Sequence, residues 1–291
     1  VRVAYLGPAG TFSEDALRSS GFCPDPFEPV LCDTLVAVIE SIGSGEADRA
    51  FVPVENSIEG SVRSTLDTLV GQADQVTITG EYVHEIRSAL IAAHETPLDR
   101  ITAVISHPQP LAQCAHFIRE QLPGAEVRVA DSTSAAVREV AGGPPGLAAL
   151  APAQAATIYG CEVIREGIED EPGNLTRFLW LAPVGAGAEE RPARSGDDSP
   201  GRPVGAWKTT VVFAGLGNDH PGALVDALLE FSDRQINLAR IESRPERREL
   251  GRYRFFIDVE GCEDDPGVSE ALEGLRQKAS SVLVLGSYRA A

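Results

Sequence analysis

The stretch VTITGEYVHEIRSALIA (residues 76–92) breaks the rhythm of the chain around it. It is rich in β-branched and apolar residues and carries no helical repeat, so it reads as long extended backbone. On either side, short apolar runs alternate with helical periodicity. Before it, residues 3–6 read as a strand and Leu35, Val38, Ile39 and Ile42 repeat at helical spacing behind a possible Asp33 cap. Residues 50–54 read as a second strand, and Val62, Leu66, Leu69 and Val70 line one helical face behind Ser61. After it come a strand at 101–105, a helix bearing Leu111, Cys114, Ala115, Ile118 and Leu122, a strand at 127–129 and a helix starting near Ser132. Strands alternating with helices imply parallel sheets covered on both faces. Extended chain between two such blocks predicts two α/β lobes joined by strands, with a cleft between them.

Residues 184–206, VGAGAEERPARSGDDSPGRPVGA, hold almost no bulky apolar side chain, and such a composition cannot bury enough surface to offset ordering entropy. They predict a disordered linker between a first part, residues 1–183, and a second, residues 207–291. The second part reads strand (209–213), Gly-rich turn, helix (222–231), strand (236–243), charged turn, strand (253–260), helix (268–278) and strand (282–287). That βαββαβ order is the ferredoxin-like pattern. A linker of this kind transmits nothing itself, so the two parts should communicate through shared surfaces or subunit association.

At 291 residues the chain suits two cores. No window reaches the roughly 18 uninterrupted apolar residues of a membrane span, and residues 1–6 run at once into Gly7-Pro8 instead of an apolar signal core. The expectation is a cytoplasmic protein without membrane association. Five cysteines (Cys23, Cys32, Cys114, Cys161, Cys262), odd in number and without CxxC spacing, fit reduced structural thiols better than bridges, a metal site or a thiol nucleophile. A net charge of −18 makes nucleic acid a poor partner. Residues 1–183 hold 25 Asp+Glu against 11 Arg and no Lys, so a small anionic substrate there must rely on a few local arginines and backbone amides.

Polar clusters follow the strands of the first part: residues 7–13 with Thr11 after the first, Glu55-Asn56-Ser57 after the second, Ser106-His107-Pro108-Gln109 after the third and Asp131-Ser132-Thr133-Ser134 after the fourth. In open α/β sheets the carboxyl ends of strands face the ligand crevice, and the helices that follow present free N–H groups to an anion. Each cluster also has a plain reading: a Gly-rich turn, Asp131 and Ser132 as helix caps, His107 as a loop residue, Gln113 as a solvated first-turn side chain. Glu55-Asn56, directly after an apolar strand, is harder to read as structural. A later strand opens with NLTRF (residues 174–178), where alternation sends Thr176 and Arg177 to opposite sides.

Taken in order, YLGPAGTFS, PVENSIEGSVRSTLDTL, SHPQPLAQC and NLTRF resemble the prephenate dehydratase family, and HPGALVDAL with INLARIESRP resembles the ACT regulatory domain fused to it. The likeness spans about residues 3–183 and 208–288. It implies a two-lobed catalytic domain like the type II periplasmic binding proteins, followed by a ferredoxin-like ACT domain. The implied reaction is the decarboxylating dehydration of prephenate to phenylpyruvate, without cofactor or metal. Implied partners are prephenate, L-phenylalanine as feedback effector, and further copies of the chain in a homodimer or homotetramer.

By the same resemblance Thr176 is the donor to the leaving hydroxyl, with Glu55, Asn56, Ser106 and Gln113 as catalytic cleft residues and Thr11, Ser57, Arg177 and Phe178 in substrate binding. Alternation leaves Arg177 either at the substrate or in a structural ion pair. Asp131 stands where the family often has glutamate, and the shorter acid puts a substrate contact there in doubt. Gly222, Ala223, Leu224 and Val225, with Glu242, Ser243, Arg244 and Pro245, match the phenylalanine-binding segments. Two other readings stay open: an arogenate dehydratase, and a non-catalytic aromatic amino-acid sensor. Intact Thr176 and Glu55-Asn56 favour an enzyme, since a sensor needs no donor at a leaving group.

Overall fold

The computed structural model describes residues 1–21, 23–24, 26–186, 206–216, 221–246 and 251–291, so nearly all of the expected linker lies outside the described residues. The first lobe comprises β1 (Arg2–Leu6), α1 (Phe12–Ser19), β2 (Glu28–Cys32), α2 (Leu35–Gly43), β3 (Arg49–Asn56), β4 (Gly60–Ser61), α3 (Arg63–Gly71) and β5 (Val76–Glu85). A second lobe follows with β6 (Ala89–Ala92), β7 (Ala103–Ser106), α4 (Pro108–Gln113), α5 (Ala115–Gln121), β8 (Glu126–Val129), α6 (Thr133–Gly142), β9 (Leu147–Ala151), α7 (Gln154–Tyr159) and β10 (Glu162–Glu166). The chain then returns to the first lobe as β11 (Leu175–Pro183). The C-terminal unit is β12 (Trp207–Ala214), α8 (Ala223–Ser232), β13 (Leu238–Pro245), β14 (Tyr253–Glu260), α9 (Pro266–Lys278) and β15 (Ser281–Arg289).

The stretch at 76–92 divides as its composition suggests, with β5 in one sheet and β6 in the other. The first sheet has the order β2-β1-β3-β11-β5, with β4 on β3; the second is β10-β6-β9-β7-β8; the third is β13-β14-β12-β15. Neither lobe is purely parallel. β11 runs antiparallel to both β3 and β5, and β6 runs antiparallel to β9 and β10, because the chain leaves one lobe and comes back to it. This is the two-lobed arrangement of periplasmic binding proteins, with an antiparallel ACT-type βαββαβ sheet appended.

Alternation on β11 separates two cores. Phe178 and Trp180 join Phe51, Tyr5 and Leu17 on the α1 side, whereas Leu179 and Leu181 join Val52, Val38, Ile39 and Leu66 on the other. That second cluster also contains Val212, Phe256, Leu285 and Tyr288 of the C-terminal sheet, so the first lobe and the C-terminal unit share one apolar core. Gly286 permits the contact: a methyl group there would lie 2.3 Å from the Ile78 carbonyl oxygen on β5. The other face of the C-terminal sheet is covered by α8 and α9 through Ala227, Phe231, Ala271, Leu272 and Leu275.

Three local features differ from the sequence reading. The helix expected across Leu111 to Leu122 is two helices, broken at Cys114, because the Asp170 carboxylate accepts from the His116 and Phe117 N–H groups and caps a fresh start. Thr34 caps α2, one residue beyond Asp33, accepting from the Ala37 N–H at 3.1 Å. β2 gave no apolar run, since this edge strand is largely exposed. No helix among the described residues is long and apolar enough to cross a membrane.

Candidate active site

Where β11 re-enters the first lobe, Thr176 pairs with Asn56 and Arg177 with Glu55, and a bulge follows before Phe178. The pleat then puts Thr176 and Asn56 on one side and Arg177 and Glu55 on the other. Thr176 shares its side with Phe178, Trp180 and α1. It is the second residue of β11, just after the chain crosses back from β10.

Asn56 is fixed by its surroundings. Its Oδ1 accepts from the Ile58 and Glu59 N–H groups at 3.0 and 2.9 Å, closing the turn between β3 and β4. Its amide nitrogen therefore points the other way, donating to Asn174 Oδ1 at 2.7 Å and to Thr176 Oγ1 at 2.9 Å. Thr176 is thus an acceptor from Asn56, which leaves its own hydroxyl proton free to be donated elsewhere. All three residues are buried, at 3–8% exposure, so that proton is held out of bulk water.

The other expected site residues are more scattered. Ser57 is exposed and its Oγ accepts from the Leu175 N–H at 2.9 Å, locking β11 to the turn. Thr11, at the start of α1, donates to the Leu6 carbonyl at 3.2 Å. Ser106, fully buried at the end of β7, donates to the Leu150 carbonyl at 2.6 Å. Gln113 ends α4, and its side-chain nitrogen is buried without a protein partner, as is the Ser134 hydroxyl in the first turn of α6. Such groups are rare in folded proteins. His107 caps α4 through Gln109, and Asp131 is exposed beside Arg138 and Glu139. Phe178 is 2% exposed and stacked on Phe51 at 4.7 Å and 4°, forming part of the apolar wall on the Thr176 side.

The lobes meet at the loop before α1. Tyr159 of α7 donates to the Ala9 carbonyl at 2.8 Å, and a methyl group on Gly10, whose φ is +83°, would come within 3.1 Å of the Tyr159 ring and 3.4 Å of Ser134 Oγ. The first turns of α1 and α6 therefore face each other across the cleft.

The pleat turns Arg177 and Glu55 away from Thr176, and of the two alternatives left for Arg177 the side chain makes an ion pair. Arg177 donates to Glu81 Oε2 and Asp258 Oδ2, each at 2.6 Å, and to Tyr288 Oη at 2.8 Å. Lys208 completes the group by donating to Glu81 Oε1 at 2.6 Å, and Thr210 donates to Asp258 Oδ1 at 2.7 Å. Two cations thus face two carboxylates inside the contact between β11 and the C-terminal sheet. Burial opposes charge on Arg177, yet Tyr288, Asp258 and Glu81 outweigh it and hold the guanidinium above the usual arginine range. Burial likewise opposes charge on Asp258, but Arg177, Thr210 and Arg240 keep its carboxyl below the usual range. Glu55 lies at the rim of this group, 3.7 Å from both Arg177 and Arg240.

A prephenate dehydratase family model matches residues 3–185, and an ACT domain model matches residues 210–277. A prephenate dehydratase of Mycolicibacterium vanbaalenii is 38% identical, covering 98% of this chain and 90% of its own. The chain belongs to the prephenate dehydratase family. Among solved structures, the prephenate dehydratase of Arthrobacter aurescens in complex with L-Phe is 37% identical with a TM-score of 0.83, covering 100% of this chain and 90% of its own. A protein described as a novel type of quorum quenching acylase has the same fold, at 28% identity and a TM-score of 0.81, covering 100% of this chain and 98% of its own.

In the ACT domain, Gly222 has φ +99° and precedes the first turn of α8, Ala223 to Val225, with Val225 exposed. The expected segment Glu242 to Pro245 does not act as one surface. Alternation along edge strand β13 turns Arg240, Glu242 and Arg244 toward the first lobe and leaves Ile241, Ser243 and Pro245 exposed. Sequence reasoning missed Arg240, Glu81, Asp258, Tyr288 and Tyr159, and held Asn174 within NLTRF without giving it a role. Period-two spacing from Glu242 was the available signal for Arg240; the others pair across more than 75 residues and left none.

Proposed function

We propose that the chain is a carbon-oxygen lyase that converts prephenate and one proton to phenylpyruvate, carbon dioxide and water, under feedback control by L-phenylalanine. The observation that carries this reading is the Asn56–Thr176 contact, which leaves one hydroxyl proton, shielded from water, to be donated. As the ring carboxylate departs as carbon dioxide, the ring becomes aromatic and expels its hydroxyl group, which must leave as water. Negative charge grows on that oxygen only in the transition state, where a preoriented donor stabilises it most. Threonine is a weak acid, so Thr176 serves as donor and the proton comes ultimately from solvent. The facing first turns of α1 and α6, with the unpartnered Ser134 hydroxyl and Gln113 amide, suit the substrate's carboxylates.

The working units are a catalytic domain at residues 1–183, a linker at 184–206 and an ACT domain at 207–291. Phenylalanine binds at Gly222 to Val225 and the exposed side of β13, and copies of the chain associate into a dimer or tetramer in the cytoplasm. Exposed Val225, Leu229 and Ile241 on α8 and edge strand β13 support association there, and five free thiols suit a reducing compartment. The fold itself does not fix the activity, since a relative described as an acylase shares it. An acylase built on Thr176 would need a base beside it; the side chain bonded to Thr176 is an amide, whereas its cross-strand neighbour His84 pairs with Asp15 at 3.0 Å, so the assay below decides between the two. Incubating the purified chain with prephenate, arogenate and an N-acyl homoserine lactone in parallel is the test. Phenylpyruvate from prephenate is the expected result; phenylalanine from arogenate, or acyl cleavage alone, would replace this reading.

A further inference from the structure

β13 has one exposed side and one side clasped to the catalytic domain. On the clasped side Arg240 Nη2 donates to Ser61 Oγ at 3.0 Å and to the Glu242 carboxylate, which also accepts from Ser61. Arg240 Nε lies 3.7 Å from Glu55. Four residues on, Arg244 grips Asp67 of α3 through two hydrogen bonds of 2.9 and 2.8 Å. Ser61 and Glu55 are cross-strand partners in the β3–β4 hairpin, and the next pair along is Asn56 with Gly60. Arg240 therefore touches both strands of the hairpin one residue from the amide that orients Thr176. Its side chain is 8% exposed, so little solvent softens these contacts.

We infer that Arg240 is a positioning residue for the reaction: from the ACT domain it holds the β3–β4 hairpin so that Asn56 presents to Thr176, and it passes the state of β13 to that pair. The inference rests on the effector reading above for its regulatory half. A ligand seated against the exposed side of β13 displaces the strand, and Arg240 and Glu242 move with it because they are its side chains. The Glu55 contact is the point that yields, since at 3.7 Å it is an ion pair without a hydrogen bond, whereas the Ser61 and Asp67 contacts are short. A shift of a few tenths of an ångström at Glu55 and Ser61 reaches Asn56, whose bond to Thr176 tolerates little misalignment.

The experiment uses full-length Arg240→Gln and Arg240→Lys. Without effector, R240Q should lose about tenfold in kcat with KM within about twofold, and R240K should recover part of it, a split that general loss of stability does not produce. With phenylalanine, the half-inhibiting concentration of R240Q should rise at least about fivefold while its calorimetric affinity stays within about threefold of wild type. Unchanged kcat overturns the inference, and so does lowered kcat with wild-type inhibition. If R240Q does not fold, Ser61→Ala removes one contact without leaving a buried charge unpaired and should shift both readouts the same way, less far; no shift overturns the inference. Should the wild-type chain bind no phenylalanine, the effector reading fails instead, and the kcat comparison alone decides whether Arg240 positions the hairpin.

Discussion

Adjacent residues on β11 serve two surfaces built on opposite principles. On the Thr176 side the polar groups bonded to Thr176 are the neutral amides of Asn56 and, through it, Asn174, with a His84–Asp15 pair alongside, and one hydroxyl proton is left over. On the Arg177 side they are charged, with two cations against two carboxylates. The first surface is poised for a ligand and the second for a fixed neighbour. The donor is thus recognised by a hydroxyl proton with no acceptor among the described residues, and the ion pair by opposite charges held at hydrogen-bond distance.

The largest effect should come from the charged side. Arg177→Met leaves Lys208 to neutralise Glu81 but strips Asp258 of its hydrogen-bonded cation, leaving only the more distant Arg240, and breaking a buried pair from one side costs about 3–5 kcal/mol. Denaturant unfolding should show that loss, while KM for prephenate in the folded fraction stays within about twofold. A stable variant with a raised KM would return Arg177 to the substrate. Thr176→Val gives the mirror result: kcat should fall about a hundredfold, with a stability loss of about 1 kcal/mol, because Asn56 keeps its bond to Asn174. Turnover near wild type would end the donor role.

The charged side should also set the acid limit of stability. Asp258 has a folded pKa below its ordinary 3.8, so its contribution is fully present above that value and is lost as pH falls through 3.8 toward the lower folded value. Asp258→Asn removes the titration. Its stability should therefore fall less steeply over that window, by up to about 1.4 kcal/mol per pH unit. Parallel acid curves for variant and wild type would place the titrating group elsewhere.

The sequence revealed both lobes, the crossing and the βαββαβ unit because each depends on local periodicity, and residues 76–92 could not be read as a helix. It also brought Asn56 and Thr176 forward through motifs at the end of one strand and the start of another. The sides of those motifs were harder to assign. Glu55 and Asn56 read as one cluster, but the pleat separates them by the width of the sheet, and only the register against Arg177 and Thr176 shows which faces what. The shared core was invisible for a related reason: Val212, Phe256, Leu285 and Tyr288 alternate with residues that pack under α8 and α9, so both faces of the sheet are apolar and neither is marked as an interface. Stopping the chain near Ala186 would expose that core and leave Arg177 and Glu81 without Asp258 and Lys208. Catalysis and regulation are therefore better separated by point changes in the whole chain.

The smallest effect should appear at the contact between the lobes. Tyr159 ties α7 to the Ala9 carbonyl through one neutral hydrogen bond, and the ring also packs against Gly10, where any side chain would intrude. Tyr159→Phe keeps the ring and removes the bond, so the arrangement with the lobes in contact loses about 0.5–1.5 kcal/mol relative to an open one. That is roughly a two- to tenfold change in the population able to hold substrate, and it should appear as a rise in KM of that size with kcat nearly constant, because Thr176 and Asn56 lie on the other lobe and are undisturbed once the cleft is closed. A fall in kcat at unchanged KM would instead make Tyr159 part of the chemistry, and the ligand-facing surface would then extend across the cleft into the second lobe.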